Sequence, residues 1–163
     1  MRVFAILLLL VPAVASAQQG STPATGLLTE RVLSLDLALD IARAAVLKCR
    51  ADGYRTTVAI VDTGGNLKMS VRDDGTSPHT VEVAQKKAYT ALIYRRPSME
   101  TVKAWAAQVP PPLIEGTIAL GGGMPIRAGD QVVGAVGVSG APGQDKDEAC
   151  ASAGIAAVAA RLK

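Results

Sequence analysis

Aromatic side chains are almost missing from this 163-residue chain: Phe4, Tyr54, Tyr89, Tyr94 and Trp105 make up 3% of it. Single-stranded nucleic acid is held on several exposed rings, and five scattered ones do not make such a platform. Histidine is scarcer still. His79 is the only one, so any Ser-His-Asp or Cys-His triad must pass through it, and there is no G-x-S-x-G elbow to supply the nucleophile. Zinc is equally hard to hold with one imidazole and two cysteines. Those cysteines, Cys49 and Cys150, form no C-x-x-C pair, which excludes a thiol-redox motif. Charge is sparse and nearly balanced, 17 Lys and Arg against 14 Asp and Glu, so a clustered basic footprint for nucleic acid is absent too. Beyond the N-terminus no apolar run approaches the roughly 20 residues of a spanning helix.

What the chain has is aliphatic and small. Hydrophobic residues reach 49%, ample for one core at a length that suits one domain. Some of that total lies in residues 1–17, where Met1-Arg2, the apolar run Val3 to Val14 and Ala15-Ser16-Ala17 have the layout of a secretory signal peptide with its cleavage site. The mature chain is thus expected in the periplasm or secreted, with no membrane insertion. Export gives the cysteines an oxidising setting. Leu35, Ala38, Leu39, Ala42, Ala45, Val46 and Cys49 fall on one helical stripe, and Cys150, Gly154, Ala157 and Val158 on another. Two such helices packed side by side would join Cys49 to Cys150; otherwise both are buried, inert thiols.

Residues 18–31 read as a flexible leader and 32–163 as the domain. Ser34 can cap the first helix and Gly53 end it. Thr56 to Val61 and Leu67 to Val71, around Asp62-Thr63-Gly64-Gly65-Asn66, form a hairpin with one wet face on its second strand. After Ser77-Pro78 a helix runs from about His79 to Arg95. Its stripe is Val81, Ala84, Ala88, Ala91 and Leu92, with Lys86 and Lys87 off that face. Ser98 to Ala107 is a short helix, and Pro110-Pro111-Pro112 an extended connector. A second hairpin pairs Met124 to Arg127 with Gln131 to Val138, and a last helix opens at Asp145. Two hairpins interleaved with helices give an α+β fold: one antiparallel sheet with helices packed against it.

The glycines at 134, 137 and 140 sit in a strand, where close backbone packing explains them better than a dinucleotide fingerprint. Gly121-Gly122-Gly123 lacks the residues of a phosphate loop and reads as a tight turn or a close approach to a flat ligand. A lone imidazole can still serve as an axial ligand of haem, because the porphyrin fills the equatorial positions. The positive end of a helix helps His79 keep its lone pair. Met69, Met99, Met124, Tyr54, Tyr89 and Tyr94 are rival ligands. Arg72, Lys86 and Lys87 are near enough in sequence to meet propionates. Asp145 and Glu148, spaced D-x-x-E, make a weak surface iron site or simply the acids of a helix start.

The segments Ala59–Asn66 (AIVDTGGN), Ala84–Ala91 (AQKKAYTA), Leu120–Ile126 (LGGGMPI), Val132–Gly143 (VVGAVGVSGAPG) and Asp147–Ala151 (DEACA) resemble the GlcG/HbpS family, which also takes in the C-terminal domain of PduO-type proteins. The resemblance runs from about Val32 to Arg161. It implies a profilin-like fold, a homo-oligomer and, for exported members, haem as cofactor and partner. Where members commonly read R-M-D-G-A, this chain has Val71-Arg-Asp-Asp-Gly-Thr76 and no methionine. The reading that follows is an exported haem-binding protein for storage, transport or sensing, with His79 on iron. Its alternatives are an enzyme or accessory of small organic acid catabolism, suggested by the family's catabolic gene neighbours, and an oligomeric interaction module without a ligand. Export has a direct check: N-terminal sequencing of the secreted protein is expected to begin at Gln18, and Met1 on soluble mature protein would refute it.

Overall fold

The structure is a computed structural model that describes residues 26–108 and 114–163. The segment expected to be a signal peptide, most of the expected leader and the Pro110-Pro111-Pro112 connector lie outside the described residues. Residues 31–163 fold as one unit. Helix α1, Leu35–Ala51, begins where Ser34 Oγ accepts the Leu37 amide at 3.2 Å. It ends in a 6→1 closure, Tyr54 N to Cys49 O at 2.8 Å, around Gly53 at φ +86°. That left-handed residue is the one the sequence reserves for glycine.

Strands β1 (Thr57–Val61) and β2 (Leu67–Arg72) form the first hairpin, β3 (Gly123–Ala128) and β4 (Gln131–Ser139) the second. They join as one antiparallel sheet in the order β2-β1-β4-β3. Pro125 is tolerated because β3 is an edge. Central β1 is buried throughout, and no residue of β2 is fully buried. Helices α2 (Thr80–Tyr94) and α3 (Ser98–Trp105) lie between the hairpins in sequence, and α4 (Gln144–Ala156) follows β4. None of the described helices is long and apolar enough to cross a membrane.

Alternation along the strands divides the core in two. Val58, Ile60, Val136 and Val138 pack with α1 and α4, whereas Val61 and Ala135 pack with Ala88, Ala91 and Leu92 of α2. Helix α2 lies very close to the sheet. A Cβ on Gly137 would stand 2.0 Å from Ala84 O, and one on Gly123 2.0 Å from Lys87 O. These glycines exist for backbone contact, as expected of 137; the Gly121–Gly123 run approaches the chain's own helix rather than a flat ligand.

Three details of helical facing differ from the periodicity: Ala157, expected on the inward stripe of the last helix, is exposed just past the end of α4, and two more lie in α1 and α2. Leu35 and Leu39 are exposed and Ile41 takes an inward place. The cause is α4: its Gly154 lies so near α1 that a Cβ would be 2.6 Å from Ile41 O, which turns the small Ala38, Ala42 and Ala45 face inward. Lys87, expected off the apolar face of α2, is only 3% exposed.

Cys49 and Cys150 join α1 to α4 in a disulfide with Cα atoms 5.6 Å apart, 101 residues apart in sequence. Closing a loop of that size contributes roughly 4–5 kcal/mol in the chain-entropy model. Reduction is expected to lower Tm by on the order of 10 °C in calorimetry; an unchanged Tm would mean the bridge adds nothing. Gly137→Ala drives a methyl into backbone rather than a movable side chain, so it should cost about 3 kcal/mol in urea unfolding.

Candidate functional site

Strand register decides where the chemistry gathers. Thr57 of β1 faces Arg72 of β2 on one side and Ser139 of β4 on the other. The start of β1 and the ends of β2 and β4 therefore share one end of the sheet. The chain leaves β2 there to start α2 and leaves β4 there to start α4, so both helices present their N-termini to the same place.

A cavity of about 720 Å³ opens at that place, within the roughly 300–1,000 Å³ typical of small-molecule and cofactor sites. Tyr54 and Arg55 border it from the connection between α1 and β1, Thr76, Ser77 and His79 from the loop before α2, and Gly143 and Gln144 from the start of α4; Val83, Leu120 and Pro142 add apolar wall. Lys87 and Asp147 line it as well, both buried, with Nζ 2.7 Å from Oδ2. Lys87 also donates to Val138 O at 3.1 Å, and Ala141 N donates to Asp147 Oδ1 at 3.0 Å. Burial pushes the Asp147 carboxyl up against the pull of Lys87, which lowers it.

His79 is exposed at the rim and its Nδ1 hydrogen-bonds Ser77 Oγ at 2.9 Å. A ring that donates from Nδ1 keeps the Nε2 lone pair for a metal, the usual way a ligating imidazole is oriented. Nε2 has no partner among the described residues. Ser77 thus spends its hydroxyl on the ring, and α2 has no side-chain cap.

Below the loop, Asp73 is the anchor. Arg50 grips it with two bonds, Nη2 to Oδ1 at 2.6 Å and Nε to Oδ2 at 3.0 Å, and Arg55 Nη1 adds a longer contact of 3.4 Å. The Arg50 bond first, then the Asp74 amide and Arg55, hold this carboxyl well below the usual range despite its burial.

The residues expected at the site divide sharply. His79 and Tyr54 share the cavity; Tyr54 also carries Lys146 Nζ 5.3 Å from its ring centroid. Met69 borders a separate groove between α1 and β2, and Met124 packs on the core beneath α1 and α4. Met99 touches Gly121, Tyr89 packs on Gly65 and Gly116, and Tyr94 meets Trp105 edge-on at 5.1 Å. Arg72 and Lys86 do not line the cavity; Lys86 pairs instead with Glu82 one turn back at 2.6 Å. Lys87 lines it but is no free cation for a propionate, since Asp147 already holds it. Asp145 and Glu148 do not act together either. Asp145 is exposed, while Glu148 turns toward the amides of Met99 and Gly122, is pushed up by burial, and leaves Oε2 without a hydrogen-bond partner. Among the described residues no three His, Cys, Asp or Glu side chains cluster as a metal site. Arg55 and Thr76 went unnoticed because only the strand register brings them to this end of the sheet, and Asp147, visible only as one of the acids at the start of the last helix, is instead the partner of Lys87.

Known proteins place this architecture. The chain is 34% identical to protein GlcG of Escherichia coli K12 over 115 residues, covering 68% of this chain and 84% of that one. It superposes on the crystal structure of HbpS with a TM-score of 0.77 at 39% identity, covering 83% of this chain and 97% of the other. On a PduOC–haem complex the TM-score is 0.70 at 25% identity, with 78% and 95% covered. The family model described as haem-degrading protein, HbpS-like, matches residues 33–156, from the first buried leucine to the end of α4. On that span the chain belongs to the HbpS-like family.

Proposed function

We propose that this is an exported haem-binding protein whose cavity takes the porphyrin with His79 Nε2 as an axial donor. The observation that carries the reading is the His79–Ser77 pair at the rim of a cavity of cofactor size: one ring nitrogen is occupied and the other is open. The donor set fits haem, which asks of the protein one axial atom and an apolar slot. The HbpS and PduOC–haem relatives support the class of ligand. The disulfide supports export, because such bridges persist in oxidising compartments. Storage, transport and sensing all begin with this binding step. Tyr54 is the one rival ligand that shares the cavity.

Haemin titration followed by absorbance tests the assignment. The wild-type protein is expected to give a sharp, shifted Soret band at one haem per chain. His79→Ala should lose or displace that band and bind more weakly. Its folding stability should stay within about 0.5 kcal/mol, as for an exposed side chain. An unchanged spectrum in His79→Ala with a changed one in Tyr54→Phe would move the ligand to the phenol. Unchanged spectra in both would remove haem from this cavity.

A further inference from the structure

A second concave surface lies away from the cavity that holds His79 and shares no lining residue with it. Between α1 and edge strand β2 runs a groove of about 570 Å³ whose apolar lining is Leu39, Val46, Leu47, Met69 and Val71. Leu35, Leu39, Arg43 and Leu47 form one i, i+4 ridge of α1, and the last three of them border the groove. The three leucines are 54%, 45% and 51% exposed, and Val71 across the groove is 37% exposed. An apolar patch of this kind with charged residues at its rim marks an interaction surface.

The charges say what covers it. Asp40 and Arg43 both border the groove. Arg43 has no hydrogen bond or ion pair among the described residues, and Asp40 uses only Oδ2, which accepts from Arg161 at 2.7 Å. Acid precedes base along the helix. A second α1 running the opposite way therefore sets base against acid twice, whereas a parallel one would set like against like. A two-fold axis at the height of Ile41 and Ala42 puts Asp40 opposite the partner's Arg43 and seats Leu39 between the partner's Arg43 and the partner's Leu47. Leu35 then comes within one residue, about 1.5 Å of axial rise, of the partner's Leu47. Helices meet by packing ridges into grooves. Here each ridge stands beside a groove, so the surface is complementary to itself, as a two-fold contact requires.

We propose that this face of α1 is a contact between two copies of the chain related by a two-fold axis, with Asp40 and Arg43 paired across it in both directions. The contact lies outside the cavity and stands whether or not that cavity takes haem.

Sedimentation equilibrium of the purified protein tests the contact. The wild type is expected to associate, and Leu39→Asp, which puts a charge into the ridge, should lower the mass at least twofold. Asp40→Arg and Arg43→Asp each set like charges opposite one another twice, so either variant alone should associate about tenfold more weakly. Mixed one to one they should associate again, because every Arg then faces an Asp. All three positions are exposed, so the circular dichroism spectrum should stay that of the wild type. A wild type that is monomeric at every concentration overturns the proposal. Assembly that survives all three substitutions uses another face and overturns it as well, as does a mixture that fails to reassociate. If assembly persists in these variants and is lost only on removing residues 18–30, the leader and not α1 makes the contact, and the proposal is again overturned.

Discussion

The contact of α2 with the sheet is the constraint from which the rest of the molecule follows. Two missing Cβ atoms, on Gly123 and Gly137, let the helix backbone rest directly on β3 and β4. At that distance a long side chain on the near face has nowhere to go but along the sheet toward its end. Lys87 takes that route and meets Asp147 of α4. A buried amine is expensive unless it is paired and its protons are used. The carboxylate pairs it, and together with the Val138 carbonyl takes two of its three protons. Gly122 completes the arrangement, since a Cβ there would be 2.8 Å from both Asp147 Cβ and Val138 O.

The same end of the sheet shows two carboxylates with opposite tendencies. Asp73 is held below the usual range by Arg50, so its stabilising contribution is present above the unfolded-state value of about 3.9 and is lost only as pH falls through the lower folded value. Asp147 is pushed upward by burial, so protonation costs it less in the folded state, and its contribution weakens as pH rises through the raised value. Asp73 fixes the loop that carries His79, while Asp147 fixes the start of α4. The contribution of Asp73 is thus lost toward acid, and that of Asp147 weakens in the opposite direction.

Much of this fold was legible in the residues. Ser34, Gly53 and the two hairpins announce themselves through local chemistry, and the structure places them within a residue or two of the expected bounds. The pairing of Cys49 with Cys150 was visible as an alternative from two inward stripes. Facing was harder to read. Lys86 and Lys87 are neighbours of the same type, and only the sheet beneath α2 separates an exposed ion pair from a buried one. Leu35 and Leu39 look like core until Gly154 brings α4 close enough to prefer alanine. His79 could be named as a candidate because it is solitary. Of its companions, Tyr54 could be named only as one of six rival ligands and Arg55 and Thr76 not at all, because strand order, a non-local property, assembles them around it.

The last turn of α1 has a mechanical meaning. Cys49 is bonded to α4, and the next residue, Arg50, holds the Asp73 loop with two hydrogen bonds. Neither residue lines the cavity, yet one wall hangs from each. A single dipeptide at the end of α1 thus ties together the helix and the loop that wall the cavity, through a covalent bond and an ionic fork that both lie outside its lining.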